Sequence, residues 1–412
     1  MHSYELFFRQ QHERQYTDRI IMWAMSGPRF TIRARVILSL SSVLSAGLEP
    51  GRPLNAAFLV LHDGRSNLTC SNVSSWLPLP CDSVPEWDAN HSCTLAKAAA
   101  LRANTVYLGT FVPDARLDAL QRYISRAHQD DAVGSAHPLL TSPEAALGNN
   151  FRLLADKLAL SLGVRQALYL DADACVTGPL HGIFEANTTM PIVAASRGPA
   201  KLSTLENTSE YYMYSAEARP LLSRMWGFND AARQSFNAGV MLINAIPFCV
   251  HDILGRVLHV AEVHSSVPAA KNITKSSSPN NAFIELAAAG LCHHVPLRYN
   301  CRSREQVDTS IDSCVIQHEH THQSQMCRYE QQGLIAQRFN ESGESYWPNS
   351  TAEVERVLPI GKLPRQHNDR HTSRRIAREQ KREARGNGAH GTQLSQLSQS
   401  SEPTRARRKL RG

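Results

Sequence analysis

The sequence predicts an α/β protein. Short apolar runs alternate along the chain with segments whose apolar residues recur at helical spacing, and turn-forming residues separate the two kinds of segment. The composition, 42% hydrophobic and 20% charged, is that of a globular chain and excludes a collagen, a coiled coil and a wholly disordered protein. No run of about 18 apolar residues occurs, so the printed sequence predicts no membrane-spanning helix.

The first part of the chain predicts a β-α-β unit with parallel strands. An apolar run at 20–24 (IIMWA) is typical of a buried strand, and it ends at a turn that contains Ser26 and Gly27. A segment with helical spacing follows, and a second apolar run occupies 54–61 (LNAAFLVL). Such connections are right-handed in nearly all proteins. A further strand is predicted at 105–111.

The middle of the chain predicts a capped helix. Asn150 is a suitable N-cap and Gly163 a suitable stop. One apolar stripe runs along the helix: Phe151, Leu154, Leu158 and Leu162. Arg152 and Asp156 lie on a different face, where they can point at a ligand.

Two carboxylates follow the next strand, ALYL at 167–170. In an extended chain Asp171 and Asp173 project to the same side, beyond the strand end where open α/β sheets bind ligands. Paired carboxylates attract Mg²⁺ or Mn²⁺, whose coordination phosphate oxygens then complete. Such a metal suits departure of a nucleoside diphosphate, because it neutralises charge that grows on the leaving group. The alternative, a solvated turn, is disfavoured by the capped helix and apolar strand that precede the pair.

Glycosylation signals indicate the compartment. Chance would give roughly two N-x-S/T sequons in a chain of this length, whereas eight occur, three of them in a Ser- and Pro-rich segment at 65–94 that we interpret as an insertion. The sequon asparagines are Asn67, Asn72, Asn90, Asn187, Asn207, Asn272, Asn340 and Asn349. The sequons predict a glycoprotein of the secretory-pathway lumen, in the Golgi or the endoplasmic reticulum.

Nine cysteines support the same compartment. Seven stand in polar, turn-rich surroundings that suit disulfides: Cys70, Cys81, Cys93, Cys292, Cys301, Cys314 and Cys327. Cys175 and Cys249 stand in apolar surroundings and are predicted to be small buried hydrophobic residues. The odd count requires at least one thiol that is free or bonded to another chain. The polar start (MHSYELFF) lacks a signal segment, so either the start is incomplete, which we favour, or the sequons are unused; membrane association is expected only with a missing N-terminal anchor.

The net charge of +7 belongs to the end of the chain. Residues 362–412 carry 14 Lys and Arg against 4 Asp and Glu, and subtracting these from the totals of 44 and 37 leaves 30 basic and 33 acidic residues in 1–361. The basic segment has almost no large apolar residues and is predicted to be a disordered tail. Because the body is nearly neutral, no nucleic-acid partner is expected, although a nucleic-acid-binding tail is an alternative.

The central residues resemble glycosyltransferase family 8, which contains glycogenin, bacterial galactosyltransferases and the glucoside xylosyltransferases. The segments FRLLADKLALSLGVRQALYLDADACVTGPL (151–180) and FNAGVMLIN (236–244) carry the likeness, and RIIMWAMSG and FLVLHDG add weaker support. The resemblance implies the GT-A fold: a single Rossmann-like domain with a mixed central sheet. We place this domain at 19–335, between a polar segment at 1–18 and a linker at 336–361.

The resemblance also implies the donor site. Asp171 and Asp173 would hold Mn²⁺ or Mg²⁺ and the diphosphate of a nucleotide-sugar, with a UDP-sugar expected. Arg152 would orient these carboxylates and the donor, and Asn237 would face the donor sugar. Ser26 and Gly27 occupy the place of the loop that contacts the nucleotide.

The third metal ligand of the family is a histidine, for which CVIQHEHTH offers His318, His320 and His322. His318 is favoured because it directly follows an apolar run. Because the three histidines alternate, they would share one face of an extended segment and could bind zinc. A zinc site is the less favoured alternative, since zinc sites usually have better spaced ligands.

Two departures from the family pattern bear on catalysis. Pro279, Asn280 and Asn281 stand where the family has D-Q-D before a helix, and the K-P-W element is absent. Asparagines hydrogen-bond hydroxyls but cannot act as anionic bases. The resemblance implies a retaining hexosyl- or pentosyltransferase that acts on a hydroxyl of a glycan or glycoprotein, with Asn237, Asn281 and Arg152 as catalytic residues. Because no protein nucleophile is apparent, we expect front-face displacement assisted by the donor phosphate. The alternative is an inactive member that binds nucleotide-sugar or glycan.

If the chain matures in the secretory pathway, removing N-glycans enzymatically should lower its mass by several glycans. The check is the mass of material from its native cell before and after treatment. An unchanged mass would mean that the sequons are unused.

Overall fold

The computed structural model describes most of the body of the chain. The described residues are 16–26, 30–46, 54–65, 68–77, 79–96, 98–130, 148–186, 189–201, 234–266, 279–301 and 314–318. All of them belong to one compact unit. The predicted linker at 336–361 and tail at 362–412 lie outside these residues.

Ten strands and eight α-helices lie wholly within this part of the chain, and a further α-helical stretch covers 148–151. The strands are β1 (Arg19–Met25), β2 (Ala57–His62), β3 (Cys81–Ser83), β4 (Val106–Thr110), β5 (Gln166–Leu170), β6 (Ala174–Val176), β7 (Ile192–Lys201), β8 (Gln234–Asn244), β9 (Cys292–Val295) and β10 (Ile316–His318). The helices are α1 (Phe30–Ala46), α2 (Cys70–Trp76), α3 (Ala115–Asp130), α4 (Ala155–Ser161), α5 (His181–Phe184), α6 (Ala245–Val250), α7 (Ile253–Ser266) and α8 (Pro279–Ala287). Two 3₁₀ turns add Arg152–Leu154 and Leu297–Tyr299.

Eight strands form one mixed sheet in the order β3-β4-β2-β1-β5-β8-β7-β9. Strand β1 pairs in parallel with β2 and with β5, whereas β8 runs antiparallel between β5 and β7. The predicted α/β class and mixed central sheet are therefore confirmed. Strands β6 and β10 form a separate antiparallel pair just beyond the carboxyl end of β5.

Helices cover both faces of the sheet, so its central strands are apolar on both sides. In β1, Ile20 and Met22 belong to the core on one face, and Ile21 and Trp23 to the core on the other. The indole Nε1 of Trp23 donates to Ser39 Oγ of α1 at 2.9 Å, which satisfies the one polar atom of this buried side chain. The fully apolar runs read from the sequence thus mark strands buried on both faces.

The predicted N-cap of the central helix is wrong. Helical structure has already begun at 148, and Asn150 lies inside it, 1% exposed. The segment then tightens into the 3₁₀ turn at Arg152–Leu154 before α4 begins. The predicted stop is confirmed, since Gly163 has φ +72°, a conformation that glycine adopts without steric cost.

The insertion is more structured than its composition suggested. Helix α2 begins with a capping box between Thr69 and Asn72, and β3 extends the sheet by pairing in parallel with β4. Asn90, one of the sequon asparagines, is exposed. The segment therefore contributes an edge of the sheet.

Disulfides form, as predicted for an oxidising compartment, but three assignments change: Cys292, expected to suit a disulfide, is free, and Cys175 and Cys249 are bonded. The described pairs are Cys70–Cys81, Cys93–Cys249 and Cys301–Cys314, and Cys292 is a free thiol. Cys249 and Cys175 were expected to be unpaired; both are buried, but both are disulfide-bonded. The partner of Cys249 lies 156 residues away, so its apolar local sequence gave no sign of the bond. None of the described helices is long and apolar enough to cross a bilayer.

Asp156 should make stability depend on pH. It is 4% exposed, and burial raises the pKa of its carboxyl to about 6 from 3.8 despite opposing backbone hydrogen bonds and nearby positive charge. Because the folded-state pKa is the higher one, protonation favours the folded state. This contribution is complete below about pH 4 and is lost as the pH rises through about 6.

Asp156→Asn should therefore raise the free energy of unfolding at pH 7.5 by about 2–3 kcal/mol. Chemical denaturation of wild type and variant between pH 4 and 7.5 measures this difference in the free energy of unfolding. The control is Asp118→Asn, which changes an exposed carboxylate of α3. Equal pH profiles for wild type and Asp156→Asn would contradict the prediction.

Candidate metal and donor site

The two carboxylates of the D-x-D sequence lie where β5 ends. Asp171 directly follows the strand, and its backbone N–H donates to the carbonyl of Gly239 on β8 at 2.7 Å. The chain then turns through Ala172 and enters β6 at Ala174. Strand β10 pairs with β6 so that His318 stands opposite Ala174, next to Asp173. Backbone pairing therefore brings a histidine 145 positions farther along the chain to the carboxylates.

Three side chains converge at this point. The Nε2 atom of His318 lies 3.2 Å from Asp173 Oδ1 and 3.5 Å from Asp171 Oδ2. One ligand atom from each of the three residues falls within 4.8 Å of the other two. The imidazole has no exposed surface, whereas the two carboxylate side chains are 18% and 11% exposed. A ligand can therefore reach the group from the carboxylate side.

Besides its pairing with β6, strand β10 is held by contacts with Cys301. Ile316 is fully buried. The backbone N–H of Cys301 donates to the carbonyl of Ile316 at 2.8 Å, and that of His318 donates to the carbonyl of Cys301 at 2.9 Å. The Cys301–Cys314 disulfide closes the same segment. These contacts fix the position of His318 relative to the two carboxylates.

Charge in the group is strongly coupled. Burial lowers the pKa of His318, but the charge of Asp173 and hydrogen bonds with both carboxylates outweigh burial and raise that pKa to about 9. Burial raises the pKa of Asp171, yet the hydrogen bond from His318 and the charge of Arg152 bring it below its ordinary value. The Asp171 carboxylate is therefore held in its charged form, and a metal at Nε2 would take the place of the proton that His318 carries there.

The donor set fits a divalent cation. Two carboxylates and one imidazole suit Mn²⁺, and the oxygens also suit Mg²⁺. In addition, Asp171 Oδ1 is buried and has no hydrogen-bond partner among the described residues. A cation held by Asp171, Asp173 and His318 would satisfy the charge and leave room for oxygen ligands from a phosphate.

Gly239 makes room for this group. A Cβ atom at that position would overlap Asp171 Oδ2 and the imidazole of His318, whose Nε2 would lie 2.8 Å away. The glycine of the F-N-x-G sequence is therefore required by close approach of the backbone to the ligands. Sequence reasoning assigned a role to Asn237 in that motif and missed the glycine.

Arg152 joins the elements around the carboxylates. Its Nη1 atom donates to the carbonyl of Ala238 at 2.9 Å and lies 3.6 Å from Asp171 Oδ1, and its Nη2 atom donates to Asn281 Oδ1 at 3.3 Å. The guanidinium also lies over the ring of Tyr169, 5.3 Å from the centroid. The structure therefore brings Arg152, Asp171 and Asn281 together, as the predicted site requires.

Asn237 presents an unused donor. Its Oδ1 atom accepts from the backbone N–H of Gly239 at 2.7 Å, which turns the amide. The Nδ2 atom is buried and has no partner among the described residues. A buried amide nitrogen in this state is costly unless a ligand accepts from it.

The predicted nucleotide loop is described in part. Ser26 is buried at the end of β1, and the backbone at Gly148 lies so close that a Cβ there would be 3.2 Å from Ser26 Oγ. Gly27, His320 and His322 lie outside the described residues. Asn300, which hydrogen-bonds His318, was missed; its only signal was its place in LRYNC.

No protein-family model and no curated protein matches the sequence. Solved structures do. The chain is similar to the galactosyltransferase LgtC in complex with donor and acceptor sugar analogs, with 15% identity over 77% of this chain and 95% of that chain and a TM-score of 0.42. It is similar to apo mouse xyloside xylosyltransferase 1, with 11% identity over 74% of this chain and 98% of that chain and a TM-score of 0.42. It is also similar to the apo bifunctional glycosyltransferase WbbM, with 11% identity over 84% of this chain and 52% of that chain and a TM-score of 0.45. At these identities and TM-scores, function has to be inferred from the site residues.

Gly239→Ala should disrupt metal binding without removing a ligand, because its methyl group occupies the space of His318 and Asp171. We expect the Kd for Mn²⁺, measured by electron paramagnetic resonance of the free ion, to rise at least tenfold. Gly178→Ala is the control, since an added Cβ there meets its nearest atom at 3.5 Å. Equal Mn²⁺ affinity in the two variants would exclude the close-approach argument.

His318→Ala should also raise the Mn²⁺ Kd at least tenfold, which corresponds to about 1.4 kcal/mol. His322→Ala should leave the Kd nearly unchanged. The same titration compares both variants with wild type. If neither variant differs from wild type, His318 is not a ligand; if only His322→Ala does, the ligand has been assigned to the wrong histidine.

Proposed function

We propose that the chain is a metal-dependent, retaining glycosyltransferase that moves a hexosyl or pentosyl group from a nucleotide-sugar to a hydroxyl acceptor. One observation carries the proposal. Asp171, Asp173 and His318 converge at the carboxyl end of β5, with the Arg152 guanidinium 3.6 Å from Asp171. A cation site with open coordination at a sheet edge is a suitable receptor for a diphosphate.

The residues around the site have separate proposed roles. A bound divalent cation supplies Lewis-acid stabilisation of the departing diphosphate. Asp171 and Asp173 bind it with His318, and Arg152 fixes Asp171 while adding positive charge beside the leaving group. Because Arg152 is itself anchored to the Ala238 carbonyl, its charge is preorganised before the donor arrives.

The groups proposed to face the sugar are amides. The Asn237 Nδ2 atom can donate to a sugar hydroxyl or phosphate oxygen, and Asn281 is held by Arg152 through its Oδ1 atom. Neither side chain can become an anionic nucleophile. This favours front-face displacement: the sugar–phosphate C–O bond breaks, the acceptor oxygen bonds to the same face of that carbon, and the acceptor proton passes to the leaving phosphate oxygen.

A UDP-sugar donor and a glycan or glycoprotein acceptor in the secretory-pathway lumen complete the proposal. The resemblance to glycosyltransferase family 8 supports the donor. The described disulfides and the eight sequons support the compartment.

A second candidate is a catalytically inactive protein that binds nucleotide-sugar or glycan. The observation in its favour is Asn281. Its side chain contacts Arg152, and in the sequence it stands where the family pattern has an acidic residue. Binding requires the cation site and Arg152, whereas turnover requires bond cleavage as well. Release of nucleoside diphosphate therefore separates the two functions.

The test is a panel of UDP- and GDP-sugars with Mn²⁺, scored for nucleoside diphosphate. We expect turnover of at least one donor, loss of it in EDTA and recovery with Mn²⁺. Asp173→Ala should abolish turnover while leaving the chain folded, because the residue lies at a strand end. Asp82→Ala, which alters an exposed carboxylate of β3, should behave as wild type.

Full activity in EDTA would contradict the metal-bridged diphosphate. Donor binding without turnover of any donor, with suitable acceptors present, would favour the inactive binder.

A further inference from the structure

Asn300 is buried beside the metal-binding group, and both ends of its amide are engaged. The residue is 3% exposed and lies between the 3₁₀ turn at Leu297–Tyr299 and Cys301. Its Nδ2 atom is 3.2 Å from the backbone carbonyl oxygen of Asn237, and its Oδ1 atom is 3.1 Å from Nδ1 of His318. The side chain therefore bridges the F-N-x-G segment of β8 and the histidine of β10.

These two contacts fix the orientation of the amide. A backbone carbonyl oxygen can only accept a hydrogen bond, so the end of the Asn300 amide that faces it must be the nitrogen. The other end is then the oxygen, which also can only accept. The ring nitrogen that it faces, Nδ1 of His318, must consequently carry a proton.

The position of that proton decides which atom of His318 is available to a metal. With Nδ1 protonated, the lone pair of a neutral imidazole is on Nε2. This is the atom that lies 3.2 Å from Asp173 and 3.5 Å from Asp171. If Nε2 carried the only proton, the ring would present an N–H to the cation and could not bind it.

We propose that Asn300 is a positioning residue of the metal site, which holds His318 in the tautomer and ring orientation that direct the Nε2 lone pair between the two carboxylates. The inference rests on the proposed function, since it concerns the same cation. Asn300 does not touch the cation itself. Its hydrogen bond to the carbonyl of Asn237 fixes which end of the amide faces the imidazole.

The experiment measures Mn²⁺ affinity of the full-length chain by electron paramagnetic resonance, without donor. Asn300→Leu removes both hydrogen bonds at similar volume and should raise the Kd about 10- to 100-fold, as loss of a group that orients a metal ligand commonly does. Asn300→Asp keeps an acceptor for Nδ1 and loses the donor to Asn237. It should bind Mn²⁺ within about threefold of wild type.

Asn244 provides a matched control. This residue of β8 is, like Asn300, an asparagine that is 3% exposed. Its side chain donates to the carbonyl of Met190 at 2.7 Å and accepts from Gln166 at 3.2 Å. It lies at the opposite end of the strand from Asn237. Asn244→Leu should lower the melting temperature about as much as Asn300→Leu while leaving the Mn²⁺ Kd unchanged.

The outcomes are distinct. A Kd for Asn300→Leu equal to that of wild type overturns the positioning role, although the metal site and the proposed function stand. Loss of affinity in Asn300→Asp as large as in Asn300→Leu also overturns it, because the acceptor for Nδ1 would then not matter. If Asn300→Leu does not fold, the Mn²⁺ Kd of Asn300→Asp decides alone: a value within about threefold of wild type supports the positioning role, and a tenfold or larger loss of affinity overturns it. Wild type without Mn²⁺ affinity refutes the metal site and the positioning role together.

Discussion

The contact of the His318 imidazole with two carboxylates at the end of β5 is the constraint on which the rest of the site depends. Three distant parts of the chain must meet for it to form: β5 with its D-x-D sequence, β8 with Gly239, and β10. Each meeting is made by backbone pairing, since β5 pairs with β8 and β6 pairs with β10. The sheet thus places the chemically important side chains.

Concentrating charge at a nearly buried point is unfavourable unless every charge has a partner. The structure supplies partners on each side: Arg152 beside Asp171, the protonated imidazole between the carboxylates, and Asn300 behind the imidazole. A cation at Nε2 would replace one partner by a stronger one, so the same arrangement is stable without metal and prepared for it. This also explains the absence of a side chain at Gly239, where the ligands need the space.

Much of the fold could be predicted from sequence because its central strands are buried on both faces and therefore read as continuous apolar runs. Asp171 and Asp173 were recognisable because they follow such a run directly. Asn300 and Gly239 were not, since their roles arise from contacts across 18 positions or more that leave no local pattern. For the same reason, Cys249 was taken for an unpaired hydrophobic residue. Asn150 was taken for a helix cap because asparagine is common at helix N-caps, although the helix has already begun at 148.

The central claim is that Asp171, Asp173 and His318 hold a divalent cation to which a nucleotide-sugar diphosphate binds. Diffraction from crystals of the chain grown with Mn²⁺ and a UDP-sugar, measured at the manganese absorption edge, tests it most directly. The account predicts one strong anomalous peak within bonding distance of an oxygen of each carboxylate and of His318 Nε2, with diphosphate oxygens completing the coordination. Bound nucleotide with no anomalous peak between these three residues would contradict it.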